Sequence, residues 1–452
     1  MPVLSFRVLT DATVRPAGGR PSRVARWLAL ALVVALAGCD PGPNAPEAGP
    51  VTLTYWTSQN PQERAWADTL VARWNATHDV QVVAQPLPAG QSSEEVLLAA
   101  VVAGTTPDLC SNIWPGVLSD LVRADGVLAL DRMPGFDSLF AARVPPALAP
   151  RFRAADGHVY QMPWKTNPIL MLYNVDLFTE AGLDPPRTYS DYLDAAARLT
   201  ADTDGDGQTD RWMAARDIRP IWYQRYFDVY PLYLAASGGQ TLFGTDGRLA
   251  VDRAALEGVY GLFQTLYADG LYPLSTLQGN AFAQGRVATE LTGPWTAAWL
   301  DENAPDVRYD YAPVPVPDDA PADGPAVTYG DYKNIAVFAT TQHPQAVWAF
   351  VQYLVSPEAD RLLLEMTGQI PVRDGLLADP ALADLFAARP VLRRFVEQAP
   401  HTRGVDAVPS LPETLDAIAQ SFERAIYGVQ TPAQAVASAL DRIEVIQDWA
   451  RR

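Results

Sequence analysis

From Val51 onward the chain alternates between two hydrophobic periods, and this alternation limits the fold more than any other feature. Val51, Leu53 and Tyr55 alternate with polar residues, the period of a strand, whereas Trp66, Leu70, Val71 and Trp74 recur at helical spacing over 62–77. A β-rich run at 80–84, a helical stretch at 92–103 and a further strand at 107–111 follow. Repeated β-α-β units predict a parallel sheet with right-handed crossovers. The pattern returns with a strand at 169–173 and a helix at 189–199 that Thr188 is placed to cap. In the last third, Pro344 opens a helix through Leu354, and Ser356-Pro357 puts a cap and an N1 proline before another that Gly368 ends. Thr431-Pro432 does the same for a terminal helix carrying Val436, Leu440 and Ile443 on one face. No internal repeat is visible, so the expected class is α/β with two domains.

Ahead of this body lies a leader. Arg7, Arg15, Arg20, Arg23 and Arg26 make it basic, and the apolar run 27–37 (WLALALVVALA) is too short to span a bilayer. Basic residues, a short apolar run and small residues together form a secretory signal. Leu36-Ala37-Gly38-Cys39 resembles a bacterial lipobox, which makes residues 1–38 a lipoprotein signal peptide and Cys39 the lipidated N-terminus of the mature chain. One acyl chain anchors only marginally, so stable attachment takes two or more, as a lipobox cysteine characteristically receives. The competing reading is a plain signal peptide with Cys39 incidental. Residues 40–50 (DPGPNAPEAGP) have too few apolar groups to offset their ordering entropy and are expected to be a flexible tether. The expected location is extracytoplasmic, lipid-anchored to the cell membrane at its periplasmic face or outer surface.

Composition narrows the partners. Removing residues 1–38 discards five Arg and one Asp, which takes the net charge from −18 to −22. Such an acidic chain does not bind nucleic acid by counterion release, and an anionic lipid surface repels it, so any membrane attachment falls to the lipid. Of the two cysteines only Cys110 is left once Cys39 is modified, so no disulfide forms within the chain. A body of this length buries enough apolar surface to dispense with one. Cys110 sits in the apolar stretch 107–110 and reads as a core residue rather than a nucleophile.

Local phrases go further than periodicity. Gly157-His158-Val159-Tyr160-Gln161-Met162-Pro163 is followed by Leu172-Tyr173-Asn174-Val175-Asp176-Leu177-Phe178, then Ala181-Gly182-Leu183-Asp184-Pro185-Pro186 and Tyr189. Gly285-Arg286-Val287-Ala288, Gly293-Pro294-Trp295, Tyr311-Ala312-Pro313-Val314-Pro315 and Tyr329-Gly330 come next. Phe350-Val351-Gln352-Tyr353-Leu354, Ser356-Pro357-Glu358 and Gly368-Gln369-Ile370-Pro371-Val372-Arg373 complete the series. In this order, and over almost everything from Val51 onward, the chain resembles the family 1 extracellular solute-binding proteins, nearest to maltose-, trehalose- and related oligosaccharide-binding members. The resemblance implies a two-lobe periplasmic-binding-protein fold of type II, each lobe a mainly parallel sheet flanked by helices, closing over ligand by a hinge. Crossings between lobes would fall near Pro163, Pro313 and Glu358. Residues 51–163 with 314–358 would then form lobe one, and 164–313 with 359–452 lobe two. It further implies delivery of the solute to the permease subunits of an ABC importer, by a receptor that acts as a monomer and is not an enzyme.

Sugar binding has its own chemistry. A pyranose offers apolar C–H faces to aromatic rings and a rim of hydroxyls to carboxylates, amides and cations. The chain has 12 Trp, several of them at strand-to-helix junctions. Trp56 ends the first strand beside Ser58, Gln59 and Asn60, and Trp114 follows the 107–111 strand, where open α/β sheets place ligands. Trp164, Lys165 and Asn167 lie at the first crossing. Trp222 and Tyr223 either line the cleft in lobe two or fill its core. The resemblance makes Trp295 a sugar-stacking position and places Tyr329 and Asp331 on a loop lining the cleft. Trp66, Trp74 and Trp348 fit helix packing instead, and Trp449 lies on the terminal helix.

One other motif carries chemistry. Asp202, Asp204, Asp206 and Asp210 occupy positions 1, 3, 5 and 9 of a loop with Gly207 at 6 and Gln208 at 7, a spacing that gathers hard oxygen ligands around Ca2+. Position 12, where an EF-hand has a bidentate Glu, is Met213, so the expected role is structural and the alternative is a polar surface turn. Among rival classes, an exported carbohydrate-active enzyme needs two carboxylates about the scissile bond, which an acidic chain does not exclude. Against it, His78, His158, His343 and His401 are scattered, and no H-E-x-x-H, G-x-S-x-G or phosphate-binding loop occurs. A receptor for a non-sugar solute stays open, with the Trp distribution favouring sugar.

Overall fold

The computed structural model describes residues 50–451 apart from 91, 147, 217–220, 245 and 322–324, so the leader, Cys39 and nearly all of the tether lie outside the described residues. Strands β1 (Thr52–Thr57), β2 (Gln81–Pro86) and β3 (Leu109–Ile113) pair in parallel, with β1 in the middle. They extend through β8 (Thr328–Val337), β4 (Met162–Pro168) and β9 (Ile370–Pro371) into one sheet, and β10 (Thr402–Arg403) adds to β8. Period-2 alternation sorts the two faces. Leu53, Tyr55, Leu109 and Val337 face a core built by the Pro61–Asn75, Pro344–Leu354 and Pro357–Thr367 helices, through Trp66, Trp74, Phe350 and Leu363. Cys110 and Ala336, each one residue out of step, face Leu97 and Leu121 instead. Cys110 is fully buried and its thiol is pushed up to about 12 by that burial, so it is a packing residue, not a nucleophile.

Strands β5 (Leu170–Asn174), β6 (Thr289–Thr292) and β7 (Tyr309–Ala312) form a second, smaller sheet with β5 central. Here the expected parallel arrangement gives way. β6 and β7 run parallel to each other as a β-α-β unit through the Pro294–Asn303 helix, and β5 lies between them in the opposite sense because it comes directly off β4. Met171 points to the larger core, where the Trp222–Ala236, Arg253–Ala268, Leu411–Ile426 and Pro432–Ala450 helices pack, while Leu170 and Leu172 face Leu300, Tyr311 and Phe395. The whole is an α/β fold of two lobes, each with its own sheet. Among the described residues no helix is long and apolar enough to cross a membrane.

The passage between sheets is tightly specified. Only Ile169 separates β4 from β5; its N–H donates to the Tyr329 carbonyl at 2.8 Å, and its own carbonyl accepts from Thr328 Oγ1 at 2.8 Å. Opposite, a Cβ on Gly330 would meet Thr166 Oγ1 at 2.8 Å and the Thr402 side chain at 2.8 Å, so only glycine lets the strands approach this closely. The chain returns between Ala312 and Thr328. Ala359, Leu362 and Leu363 of the Pro357–Thr367 helix, just beyond the point near Glu358 where the resemblance puts a third crossing, pack into the core of the first sheet.

Arg143 fastens this region from beneath. Its guanidinium pairs with Asp360 at 2.6 Å and donates to the carbonyls of Pro163, Trp164 and Val355, with both side chains almost wholly buried. Removing one partner of such a pair leaves a buried charge uncompensated. Arg143→Ala is therefore expected to cost about 3–5 kcal/mol in chemical denaturation, and Arg143→Met combined with Asp360→Leu to recover most of it; equal losses in both would show the pairing to be irrelevant. A second test concerns pH. Asp406, partly buried, accepts from the Phe243 N–H at 3.2 Å, and burial raises its carboxyl to about 6. A carboxyl raised in the folded state favours folding below its unfolded value, and that contribution is lost as pH rises through about 6. Asp406→Asn should match the wild type near pH 4 and exceed it above pH 6.5, by on the order of 2 kcal/mol. A pH-independent difference between the two proteins would count against this.

Candidate ligand-binding cleft

The carboxyl ends of β1, β3 and β6 lead into helix N-termini or turns that converge on one place, the position where α/β sheets expose backbone and side chains to a ligand. Three adjoining cavities open there. The first, about 270 Å³, lies among Trp114, Trp222, Tyr226, Phe227 and Tyr329, with Ser92, Ser93, Glu94, Asp331 and Lys333 as its polar groups. Tyr223 and Phe227 also border the second, about 470 Å³, whose walls carry Arg216, Asp228, Asn280, Thr289, Glu290 and Trp295. Asn280, Glu290 and Trp295 recur in the third, about 610 Å³, with Asn60, Pro61 and Gln62 on one side and Trp299, Glu302 and Asn303 on the other. Residues of the first sheet and its helices thus face residues of the second across a continuous cleft.

Each aromatic has a structural reason for its position. Tyr329, Asp331 and Lys333 alternate along β8 and so share one face. Trp114 Nε1 donates to the Tyr329 hydroxyl at 3.1 Å, which donates to Asp331 Oδ1 at 3.0 Å, and Lys333 Nζ donates to the same oxygen at 2.6 Å. Burial, then Asp331, raises the Tyr329 hydroxyl well above its ordinary range, so it stays a neutral donor. The Trp222–Ala236 helix presents Trp222, Tyr226 and Tyr230 at a spacing of four, and these meet Trp114 at 5.6 Å and Tyr329 at 4.9 and 5.7 Å between ring centroids. Trp114 and Trp295 share a device: each indole lies over a glycine two residues away. A Cβ on Gly116 or Gly293 would come within 2.1 or 2.2 Å of the ring.

The residues picked from sequence divide accordingly. Trp114, Trp222, Tyr329 and Asp331 line the first cavity and Trp295 the other two. Trp56 packs partly buried beside Leu97 and Cys110, Ser58 Oγ accepts from the Asn60 N–H at 3.0 Å, and Gln59 Nε2 donates to the Leu87 carbonyl at 3.0 Å; it is the next residue, Asn60, that reaches the cleft. Trp164, Lys165 and Asn167 are corrected: they are buried in the first lobe. A bulge in β4 between Pro163 and Lys165 turns two successive side chains to one side. Trp164 then packs on Trp66 at 5.1 Å between centroids, and Lys165 reaches Glu63, three residues earlier on the same helix, at 2.6 Å. Gln369 completes the set, accepting from Lys165 and from Asn167 and donating to Glu63. Burial lowers the Lys165 amine, with Glu63 opposing it.

Sequence reasoning missed Phe227, Arg216, Asp228, Asn280 and Glu290, which carry no local phrase. The acidic loop holds together differently from its expected order. Carboxylate oxygens of Asp202, Asp204 and Asp210 lie within 4.8 Å of one another, whereas Asp206 turns to its own neighbour, accepting from the Gln208 N–H at 2.8 Å. Hydrogen bonds from Gly207 and Gly205 hold the Asp202 carboxyl below the usual range. Met213, at position 12, is in the core.

Comparison with known proteins agrees with this architecture. Residues 69–390 match the profile of a family described as bacterial extracellular solute-binding protein. The maltotriose-binding protein of Pyrococcus abyssi is 25% identical over 373 residues, 78% of this chain and 73% of that one. The periplasmic sn-glycerol-3-phosphate-binding protein of Pectobacterium atrosepticum is 24% identical over 417 residues, 86% of this chain and 90% of that one. Among solved structures, the cyclic alpha-maltosyl-1,6-maltose binding protein of Arthrobacter globiformis superposes with a TM-score of 0.71 at 22% identity, over 88% of this chain and 99% of that one, a likeness of fold. The chain belongs to the bacterial extracellular solute-binding protein family.

Proposed function

We propose that this protein is the receptor of an ABC importer and captures a sugar or oligosaccharide in the cleft between its lobes, closing over it by a hinge and handing it to the permease. The observation that carries the reading is the cleft itself: Trp114, Trp222, Trp295 and Trp299 are distributed along three connected cavities and interleaved with carboxylates and amides. Aromatic rings alternating with hydroxyl-binding groups suit a chain of pyranoses, and the named maltotriose- and maltose-type relatives support that class. The lobes are 51–163 with 314–358 and 164–313 with 359–452, amended so that β4 as far as Pro168, the Pro357–Thr367 helix and β9 go with the first. The receptor acts as a monomer and does not turn its ligand over. Cys39 carries the lipid that holds it outside the cytoplasm, and residues 40–50 give it reach.

The test is thermal unfolding of residues 40–452 against neutral mono- and oligosaccharides. A ligand selective for the folded state stabilises it by mass action, by about 2.7 kcal/mol at a hundredfold excess over Kd, and so raises the midpoint. A rise with one related set of sugars, and no product released, is the expected result; silence toward every sugar, or hydrolysis, would overturn the reading. For the anchor, Cys39→Ser should leave the protein in the soluble fraction, and continued membrane association would refute lipidation at that residue.

Calcium in the 202–210 loop belongs to the same proposal as a structural ion. Asp202, Asp204 and Asp210 would supply carboxylate oxygens and Gln208 its backbone carbonyl, and Gly205 and Gly207 at positive φ allow the sharp turn. Calcium should raise the unfolding midpoint and a chelator reverse it, with Asp202→Asn abolishing the response. An identical midpoint in calcium and chelator would remove the ion from the account.

A further inference from the structure

The lining of the cleft has an uneven charge balance. Among the described residues two lining groups are cations, and each has a carboxylate beside it: Lys333 pairs with Asp331 at 2.6 Å, and Arg216 Nε lies 2.9 Å from Asp228 without hydrogen-bond geometry, Asp228 being held by Arg225 at 2.9 Å as well. Of its other carboxylates, Glu94 accepts from Ser93 Oγ at 3.0 Å and Glu302 from Gln62 Nε2 at 3.3 Å. Glu290, on β6, is different. It stands at the junction of the second and third cavities beside Trp295 and Asn280, and among the described residues no hydrogen bond or ion pair reaches its carboxylate. Desolvation in the cleft pushes its carboxyl up, only partly offset by the charge of Arg216. A carboxylate so placed lacks donors, and a solute can supply them.

We propose that Glu290 is the specificity-determining acceptor of this cleft, receiving hydroxyl donors from a neutral sugar unit lodged between the second and third cavities and turning anionic solutes away. The inference rests on the carbohydrate reading above and separates it from the phosphate-ester alternative that one relative represents. An anion would need a free cation or unpaired backbone N–H groups. Among the described residues the lining cations are paired, and the N-termini of the helices that follow β1, β2 and β6 are occupied. Asn60 caps the Pro61–Asn75 helix through the Glu63 N–H, and Ser92 caps the Ser93–Ala103 helix, whose first turn is already acidic. The Pro294–Asn303 helix opens with a proline that has no N–H, and the Thr296 N–H donates to the Gly293 carbonyl.

Titration calorimetry with maltotriose and with sn-glycerol 3-phosphate tests this, on the wild type, Glu290→Gln and Glu290→Asp. The wild type should bind maltotriose and give no heat with sn-glycerol 3-phosphate. Glu290→Gln should lose roughly tenfold or more in maltotriose affinity, while its ligand-free unfolding midpoint stays level or rises, since an unpaired charge has been removed. Glu290→Asp, which keeps the charge but withdraws it by one methylene, should lose affinity as well. Variants that bind maltotriose as tightly as the wild type would overturn the role of Glu290 and leave the carbohydrate reading standing. Binding of sn-glycerol 3-phosphate by the wild type would overturn the exclusion of anions. A wild type inert to maltotriose and to every neutral sugar tried would sink the carbohydrate reading and this inference with it.

Discussion

Strand β8 joins the two halves of the molecule through its pairing with β4. On one edge it meets β3 and on the other β4, and its first residues hold Ile169, the single residue between the two sheets, by backbone and side-chain hydrogen bonds. Tyr329, Asp331 and Lys333 project from the same stretch into the first cavity. The pairing that aligns the sheets therefore also sets the position of the cleft's polar chain, and a slip of one residue in β8 would turn all three groups away together. Gly330 permits that pairing by letting Thr166 and Thr402 come within contact of its backbone.

Charge is handled in two ways around this axis. Beneath it, Arg143 with Asp360 and Lys165 with Glu63 are buried as matched pairs whose spare donors end on carbonyls or on Gln369. Glu63 Oε2 and Asp360 Oδ1 are left without a hydrogen-bond partner, so these pairs are matched in charge though not saturated in hydrogen bonds. In the cleft the matching is incomplete, because among the described residues no hydrogen bond or ion pair reaches Glu290. The same physical cost, a polar group removed from water, thus serves rigidity below the hinge and selectivity above it.

Much of the fold could be read from the sequence because its signals are local. Thr188 and Thr431 each form a reciprocal cap with the residue three positions on, and the Pro344–Leu354 and Pro357–Thr367 helices begin at the prolines that mark them. Strand direction in the small sheet is not local; it depends on β5 entering between two strands more than a hundred residues further along. The cleft divides along the same line. Trp114 is legible from the end of its strand and Trp295 from the Gly-Pro-Trp phrase, but Trp164 and Lys165 are misplaced at a lobe crossing, because β4 continues in the first sheet to Pro168 and its bulge, which no local signal marks, turns them inward. Arg216, Asp228 and Glu290 come together only through the tertiary fold, and nothing adjacent to them in sequence marks them.

The seats under Trp114 and Trp295 have an evolutionary consequence. Each indole occupies space that exists because an atom is missing from Gly116 or Gly293, so neither member of a pair is free to drift alone. A side chain gained at the glycine displaces the ring, and a smaller ring leaves a hollow that a gained methyl would fill. Descendants of this protein that come to prefer another solute can therefore exchange the two positions as a unit, small for large, and reshape a wall of the cleft without disturbing the strand that leads to it.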